Sequence, residues 1–186
     1  MIKTLFTTFA TLSMGALSLQ ARLGEDSTEC EARYGKGQEL PLSLSDDLKI
    51  PEGTEWTAKS YSARGLTIQV VYDNDVAVFI RYANESPFKL AKSAPPSLNL
   101  TAPEISYLRK INLGEATDWK PYRETFLSSV APTTTLWKSS DEARYAGYDR
   151  QRKILFVCSA AFWNTVVGKI KENSGHEGPS ERFEGL

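Results

Sequence analysis

Leu66-Thr67-Ile68-Gln69-Val70-Val71-Tyr72 runs into Asp73-Asn74-Asp75 and then into Val76-Ala77-Val78-Phe79-Ile80-Arg81-Tyr82, and this stretch decides the fold class. Leu66, Ile68, Val70 and Tyr72 alternate with Thr67 and Gln69, the period-2 pattern of a strand with one buried face. Asn and Asp tolerate left-handed backbone, so Asp73 to Asp75 reads as a turn. The second segment is almost continuously apolar, as a central strand covered on both faces would be. Together the two segments predict a β-hairpin, and with it an antiparallel sheet.

Before the hairpin, residues 26–35 predict a short helix. Asp26 stands three residues ahead of Glu29 in a capping-box arrangement, and Gly35 follows as a residue able to take positive φ. Lys36 to Ser60 is rich in Gly, Pro, Asp, Glu and Ser; it reads as a long surface connection with room for one short strand, Leu40 to Leu44.

After the hairpin, Asn84 to Asn99 holds Pro87, Pro95 and Pro96 and reads as a connector, because proline removes a ladder donor. Thr101-Ala102-Pro103-Glu104 has the cap, the first-turn proline and the N3 glutamate of a helix start. That helix would turn Ile105, Leu108 and Ile111 inward and end near Gly114. Pro121 to Val130 reads as a short helix or an irregular piece. Thr135–Lys138, Ala143–Tyr148 and Lys153–Ser159 then predict a three-stranded meander. Ala160 to Glu172 predicts a last helix whose Phe162, Trp163, Val166, Val167 and Ile170 form one apolar stripe.

The expected fold is therefore α+β: an antiparallel sheet, a hairpin plus a three-stranded meander, packed by about three helices. A single domain is expected over residues 22–172, with a polar, flexible tail over 173–186. The element order gives two loosely similar halves without a sequence repeat.

Met1-Ile2-Lys3 followed by the uncharged run Leu5 to Leu19 reads as a signal peptide over residues 1–21. At about 15 residues the run is short for a membrane span. Cleavage after Ser18 or after Ala21 is acceptable, and an uncleaved anchor or a buried N-terminal helix is the competing reading. Export would leave a periplasmic or secreted protein with no stable membrane span. The 186 residues carry 22 Lys plus Arg against 23 Asp plus Glu, a net charge of −1 that speaks against a nucleic-acid binder. A composition 41% hydrophobic and 11% aromatic suits a folded domain rather than a disordered chain.

Cys30 and Cys158 are the two cysteines. An oxidising compartment would permit one disulfide between them; the competing reading is two buried thiols. Without companion His or Cys pairs they do not read as a zinc site, so no metal and no cofactor is expected. The one histidine, His176, falls in the polar tail, where a catalytic base would lack support. Asp46-Asp47, Asp73 with Asp75, and Asp141-Glu142 are candidate carboxylate pairs, and equally ordinary turn residues. Trp119, Tyr122 and Trp137 are candidate binding residues, because aromatics beside Lys120, Arg123 and Lys138 suit a protein-binding hot spot or a sugar-stacking face. The alternative is that Trp119 and Trp137 fill the core under the sheet.

Arg22-Leu23-Gly24-Glu25 followed by Glu29-Cys30-Glu31-Ala32-Arg33-Tyr34-Gly35 resembles the start of a group of small exported bacterial proteins of unknown function. The resemblance implies an envelope or secreted location and lends no activity. By element order alone the chain is also similar to the helix-then-antiparallel-sheet modules of β-lactamase inhibitory proteins and small outer-membrane assembly lipoproteins, which act by binding other proteins. The expectation is an exported, non-enzymatic protein-binding module whose partner is an envelope or extracellular protein. The alternative is a small extracytoplasmic carbohydrate-active or hydrolytic enzyme built on a carboxylate pair.

Overall fold

The computed structural model describes residues 22–41, 55–84 and 99–173. The expected signal peptide, the strand end at 42–44, Asp46-Asp47, the proline connector over 85–98 and the tail from 174 onward lie outside the described residues.

Four helices and eight strands follow one another as α1 (Ser27–Tyr34), β1 (Gln38–Glu39), β2 (Thr57–Ala63), β3 (Leu66–Asp73), β4 (Val76–Asn84), α2 (Ala102–Ile111), β5 (Trp119–Tyr122), α3 (Thr125–Val130), β6 (Thr134–Ser139), β7 (Arg144–Asp149), β8 (Ile154–Ser159) and α4 (Ala160–Asn173). All strands join one antiparallel sheet in the order β1-β2-β3-β4-β8-β7-β6-β5. The first half is a helix followed by four strands; the second also begins with a helix and holds four strands, but α3 interrupts them after β5 and α4 follows β8, and the halves meet along their last strands, β4 and β8. The α+β class holds, but the sheet is larger than a hairpin and a three-stranded meander, and the helices number four rather than three.

The extra strands hide for physical reasons. Thr-Ala-Lys-Ser-Tyr-Ser-Ala, the sequence of β2, has few strand-favouring residues. Seven paired residues along β3 and the burial of Ala58 and Tyr61 hold it in place. β5 contains Pro121, which is tolerable because β5 lies on the sheet edge and pairs only with β6. The expected hairpin is present: Asn74 and Asp75 both take left-handed φ, at 49° and 64°, the pair a tight two-residue hairpin turn requires. Val78 is an extra residue in β4, since Val71 faces Phe79 while Tyr72 faces Ala77.

Alternation along the strands separates two cores. On one face Tyr61, Val70, Tyr72, Ile80, Tyr82 and Val157 pack with Cys30 of α1 and Leu108 of α2. On the other, Val71, Phe79 and Cys158 pack with Leu127 of α3 and Phe162, Trp163 and Val167 of α4. Val70 and Val71, or Val157 and Cys158, are sequence neighbours that serve opposite cores. Fully buried side chains of this kind each contribute about 1.5–3 kcal/mol relative to exposure. No helix among the described residues is long and apolar enough to cross a membrane.

The candidate bridge between Cys30 and Cys158 does not form. Both thiols are buried and free, one in each core, with the sheet between them. Burial pushes the Cys30 thiol up to about 11, against a hydrogen bond with Tyr72 that pulls it down. Burial raises the Cys158 thiol as well.

The Arg22-Leu23-Gly24-Glu25 segment is a clip for the first core. Gly24 turns at φ 92°, and the Arg22 N–H donates to the Glu25 carboxylate at 3.1 Å. The Gly24 N–H donates to the Ala77 carbonyl, and the Ala77 N–H donates back to Glu25. Arg33 reaches Glu25 from α1 at 2.6 Å, so the helix motif and the preceding turn lock each other. The Leu23 N–H donates to Asn112 Oδ1 at 3.1 Å, which ties the clip to the end of α2.

Candidate functional site

The apolar stripe on α4 shields the second face of the sheet incompletely. Phe162, Trp163, Val166, Val167 and Ile170 all line a half-open cleft of about 360 Å³ between that helix and the strands. Phe79 of β4, Leu136 of β6 and Phe156 and Cys158 of β8 form its floor, with Leu127 and Ala131 closing the α3 side. A mostly apolar cavity of this size with a few polar groups falls in the range of small-molecule sites, about 300–1,000 Å³.

Its aromatic lining belongs to a continuous ladder. Trp56 stacks on Phe162 at 4.9 Å, Phe162 lies 5.0 Å from Phe79, and Phe79 stacks on Phe156 at 6.0 Å. Phe156 continues to Trp163 at 6.2 Å, and Trp163 stacks on Tyr145 at 4.7 Å with ring planes only 9° apart. Gly147 makes room for this ladder: a Cβ there would overlap the Phe156 ring and come within 2.9 Å of Leu136.

Polar groups gather at the end nearest the β7–β8 turn. Arg81, Thr134, Asp149 and Arg152 line the cleft there, beside Ile154 and Ile170. Register explains the grouping, since Arg81 pairs with Phe156, and Asp149 pairs with both Ile154 and Thr134. Arg81 Nη1 donates to Gln69 Oε1 at 2.7 Å from the neighbouring strand, which orients the guanidinium. Asp149 Oδ1 accepts from the Thr133 hydroxyl at 3.0 Å and from the N–H groups of Gln151 and Arg152 at 2.8 and 3.1 Å. Burial alone would raise the Asp149 carboxyl; the combined pull of those donors and of Arg152 leaves it below its ordinary value. It is therefore ionised at neutral pH. Arg152 Nε lies 4.0 Å from Asp149 Oδ2, its side chain at the rim and 58% exposed.

The three aromatic binding candidates do not share one surface. Trp119 and Trp137 are half-buried on the α2 side of the sheet. Trp119 Nε1 donates to the Arg109 carbonyl at 2.9 Å, and the Arg109 guanidinium lies 4.0 Å over the Trp137 ring. Tyr122 sits on the opposite face, edge-on to Tyr145 at 5.3 Å and to Trp163 at 6.4 Å. Its hydroxyl donates to Glu124 at 3.2 Å, and burial pushes its ionisation up to about 12. Tyr122 thus borders the cleft-side aromatic ladder, while Trp119 and Trp137 bind α2 to the sheet.

Each described carboxylate pair serves its own turn. Asp73 accepts from Asn74 in the β3–β4 turn. Asp141 accepts from the Ser139 hydroxyl at 2.5 Å and from the Ala143 N–H at 3.1 Å in the β6–β7 turn, and these bonds hold its carboxyl below the usual value. Among the described residues no group of three or more His, Cys, Asp or Glu side chains is placed to hold a metal ion. His176 lies outside the described residues.

In the sequence the wall of the cleft is visible as the α4 stripe, but the cleft itself is not. Arg81 was the available signal for the rest, being the one charged residue in the apolar run Val76 to Tyr82. No family model, curated protein or solved structure matches this chain.

Proposed function

We propose that this chain is an exported, periplasmic or secreted, non-enzymatic binding module whose partner is an envelope or extracellular protein engaged on the α4 side of the sheet. One observation carries the reading: α4 leaves an open apolar cleft beside its own aromatic core instead of closing onto the sheet. Apolar surface left open to water beside a packed core is what a binding site needs and what a purely structural layer avoids. The leader-like residues 1–21 and the resemblance of the Arg22–Gly35 segment to small exported bacterial proteins support the location. Among the described residues, Asp73 and Asp141 of the enzymatic alternative are engaged in separate turns, so no observation favours it.

The test places a photo-crosslinking amino acid at Val166, on the cleft rim, and in a second variant at Tyr107, which is 48% exposed on α2. The expected result is a leaderless, extracytoplasmic protein that gives a discrete adduct with an envelope or extracellular protein from position 166 and none from position 107. Retention of the leader in the cytoplasm, equal adducts from both positions, or no adduct from position 166 would overturn it.

A further inference from the structure

Arg109, in the last turn of α2, is a half-buried cation without a counter-charge. Arg33 has Glu25 at 2.6 Å, and Arg144 has the Asn112 carbonyl at 2.7 Å, with Asp141 and Glu115 near enough to oppose the effect of its burial. Arg109 differs from both. Among the described residues no acceptor bonds its guanidinium, and burial alone acts on its ionisation, with no acid to counter it. Arginine keeps its proton regardless, and a charge taken partly out of water is ordinarily paired.

The guanidinium is also held in place. Its Cζ lies 4.0 Å over the Trp137 ring, and the Trp119 indole N–H anchors the Arg109 carbonyl at 2.9 Å. Nε is buried without a partner, while Nη1 and Nη2, equally unbonded, keep contact with solvent. The outer edge of a fixed guanidinium is thus presented to water as two donors. Beside it the sheet offers ring surface. Pro121 pairs with Trp137 and is exposed, and Tyr148 pairs with Thr135, two residues along β6 from Trp137. Residues two apart on a strand share a face, so Pro121, Trp137 and Tyr148 form one patch, half of it accessible.

We propose that Arg109 is the seat of a monocarboxylate borne on a sugar or aromatic ring. One cation balances a single negative charge, and two parallel N–H donors match the two oxygens of a carboxylate. The ring lies toward Pro121 and Tyr148, whose faces accept the C–H surface of a sugar or the edge of an arene. Contact with Trp137 fixes the guanidinium before the ligand arrives, which lowers the ordering cost of binding. This seat lies on the face of the sheet opposite the α4 cleft and does not depend on it.

Nuclear magnetic resonance of the full chain tests the assignment at neutral pH. The titrants are sodium glucuronate and sodium benzoate, with glucose, benzyl alcohol and inorganic phosphate as comparisons. The Arg109 Nε–H and the Trp137 indole should shift saturably with at least one acid, while Trp163 stays unmoved. That acid should bind at least about tenfold more tightly than its uncharged analogue. A response to glucuronate alone makes the ring a sugar, and a response to benzoate alone makes it an arene; either supports the seat. Arg109→Gln should abolish the Trp137 shift, and Arg109→Lys, which keeps the charge and loses the fork, should weaken binding about tenfold. Should Arg109→Gln fail to fold, the wild-type Arg109 signal still decides. Silence of Arg109 with both acids, equal binding of acid and uncharged analogue, or folded Arg109→Gln binding as wild type overturns the seat. Tighter binding of phosphate than of either acid overturns the carboxylate assignment.

Discussion

The side-chain amide of Asn112 donates to the hydroxyl of Tyr82 at 3.0 Å, joining the end of α2 to the middle of the sheet in a site that excludes water. The same amide nitrogen donates to the Leu108 carbonyl at 2.9 Å, and its oxygen accepts the Leu23 N–H. Arg144 Nη1 donates to the Asn112 backbone carbonyl at 2.7 Å. One asparagine thus gathers the N-terminal clip, α2, β4 and β7. A buried polar group with all its bonds made specifies one arrangement, because every slipped alternative leaves donors unpaired.

Asn112→Ala should accordingly destabilise the fold well beyond the loss of a surface residue. The Leu23 N–H would lose its side-chain acceptor and the Tyr82 hydroxyl one of its bonds, and a buried group left unsatisfied costs about 1–3 kcal/mol. Urea unfolding compared with Asn112→Asp would check it. A loss under about 1 kcal/mol would mean that the clip is not anchored there.

Trp119→Ala and Trp137→Ala should cost stability before they cost recognition. Both rings are half-buried against α2, one hydrogen-bonded to Arg109 and the other beneath its guanidinium. Removal of a large aromatic from a core costs about 3–5 kcal/mol, and these half-buried sites should fall at or below the low end of that range. Thermal unfolding alongside partner crosslinking from position 166 separates the two effects. A variant with an unchanged melting temperature and lost crosslinking would return these residues to the binding surface.

Acid should unfold the chain through its bonded carboxylates. Glu104 and Asp141 are held below their ordinary values of 4.5 and 3.8 by hydrogen bonds to Thr101 and to Ser139 with Ala143, and Asp149 is likewise lowered. A depressed carboxyl stabilises the fold above its unfolded value, and that contribution is lost as pH falls through the folded value. Glu25 acts in the opposite sense: burial raises it despite Arg22 and Arg33, so its share is present at low pH and is lost as pH rises through the folded value. Among the described residues three such groups oppose one, so stability should hold near neutrality and fall below pH about 4. Asp149→Asn should flatten that acid limb in urea titrations run between pH about 7 and about 3, and an unchanged slope would remove Asp149 from this account.

Much of the fold is legible in the sequence wherever local chemistry and burial agree. Asp26 with Glu29 and Thr101 with Glu104 form the capping boxes their spacing predicts, and the hairpin turn falls on Asn74-Asp75. β1, β2 and β5 were illegible because pairing, not composition, makes them strands: two residues, a Ser-rich run and a Pro-containing edge carry no period of their own. The separation of Cys30 from Cys158 depends on which face of the sheet α1 covers and which face Cys158 takes along β8, and neither is fixed until the sheet is assembled. The cleft was half legible. The α4 stripe gives its wall, but the approach of Arg81 and Arg152 to one end depends on β4 pairing with β8, a contact between segments far apart in the chain.

The tryptophans offer the most direct measurement. Trp163 lines the cleft, while Trp119 and Trp137 lie on the opposite face of the sheet. Nuclear magnetic resonance of the indole N–H groups during titration with the protein captured from position 166 therefore reads both faces in one experiment. The account predicts a saturable shift of the Trp163 indole with Trp119 and Trp137 unmoved. Shifts at Trp119 and Trp137 with Trp163 silent would place the binding surface on the α2 side and contradict it.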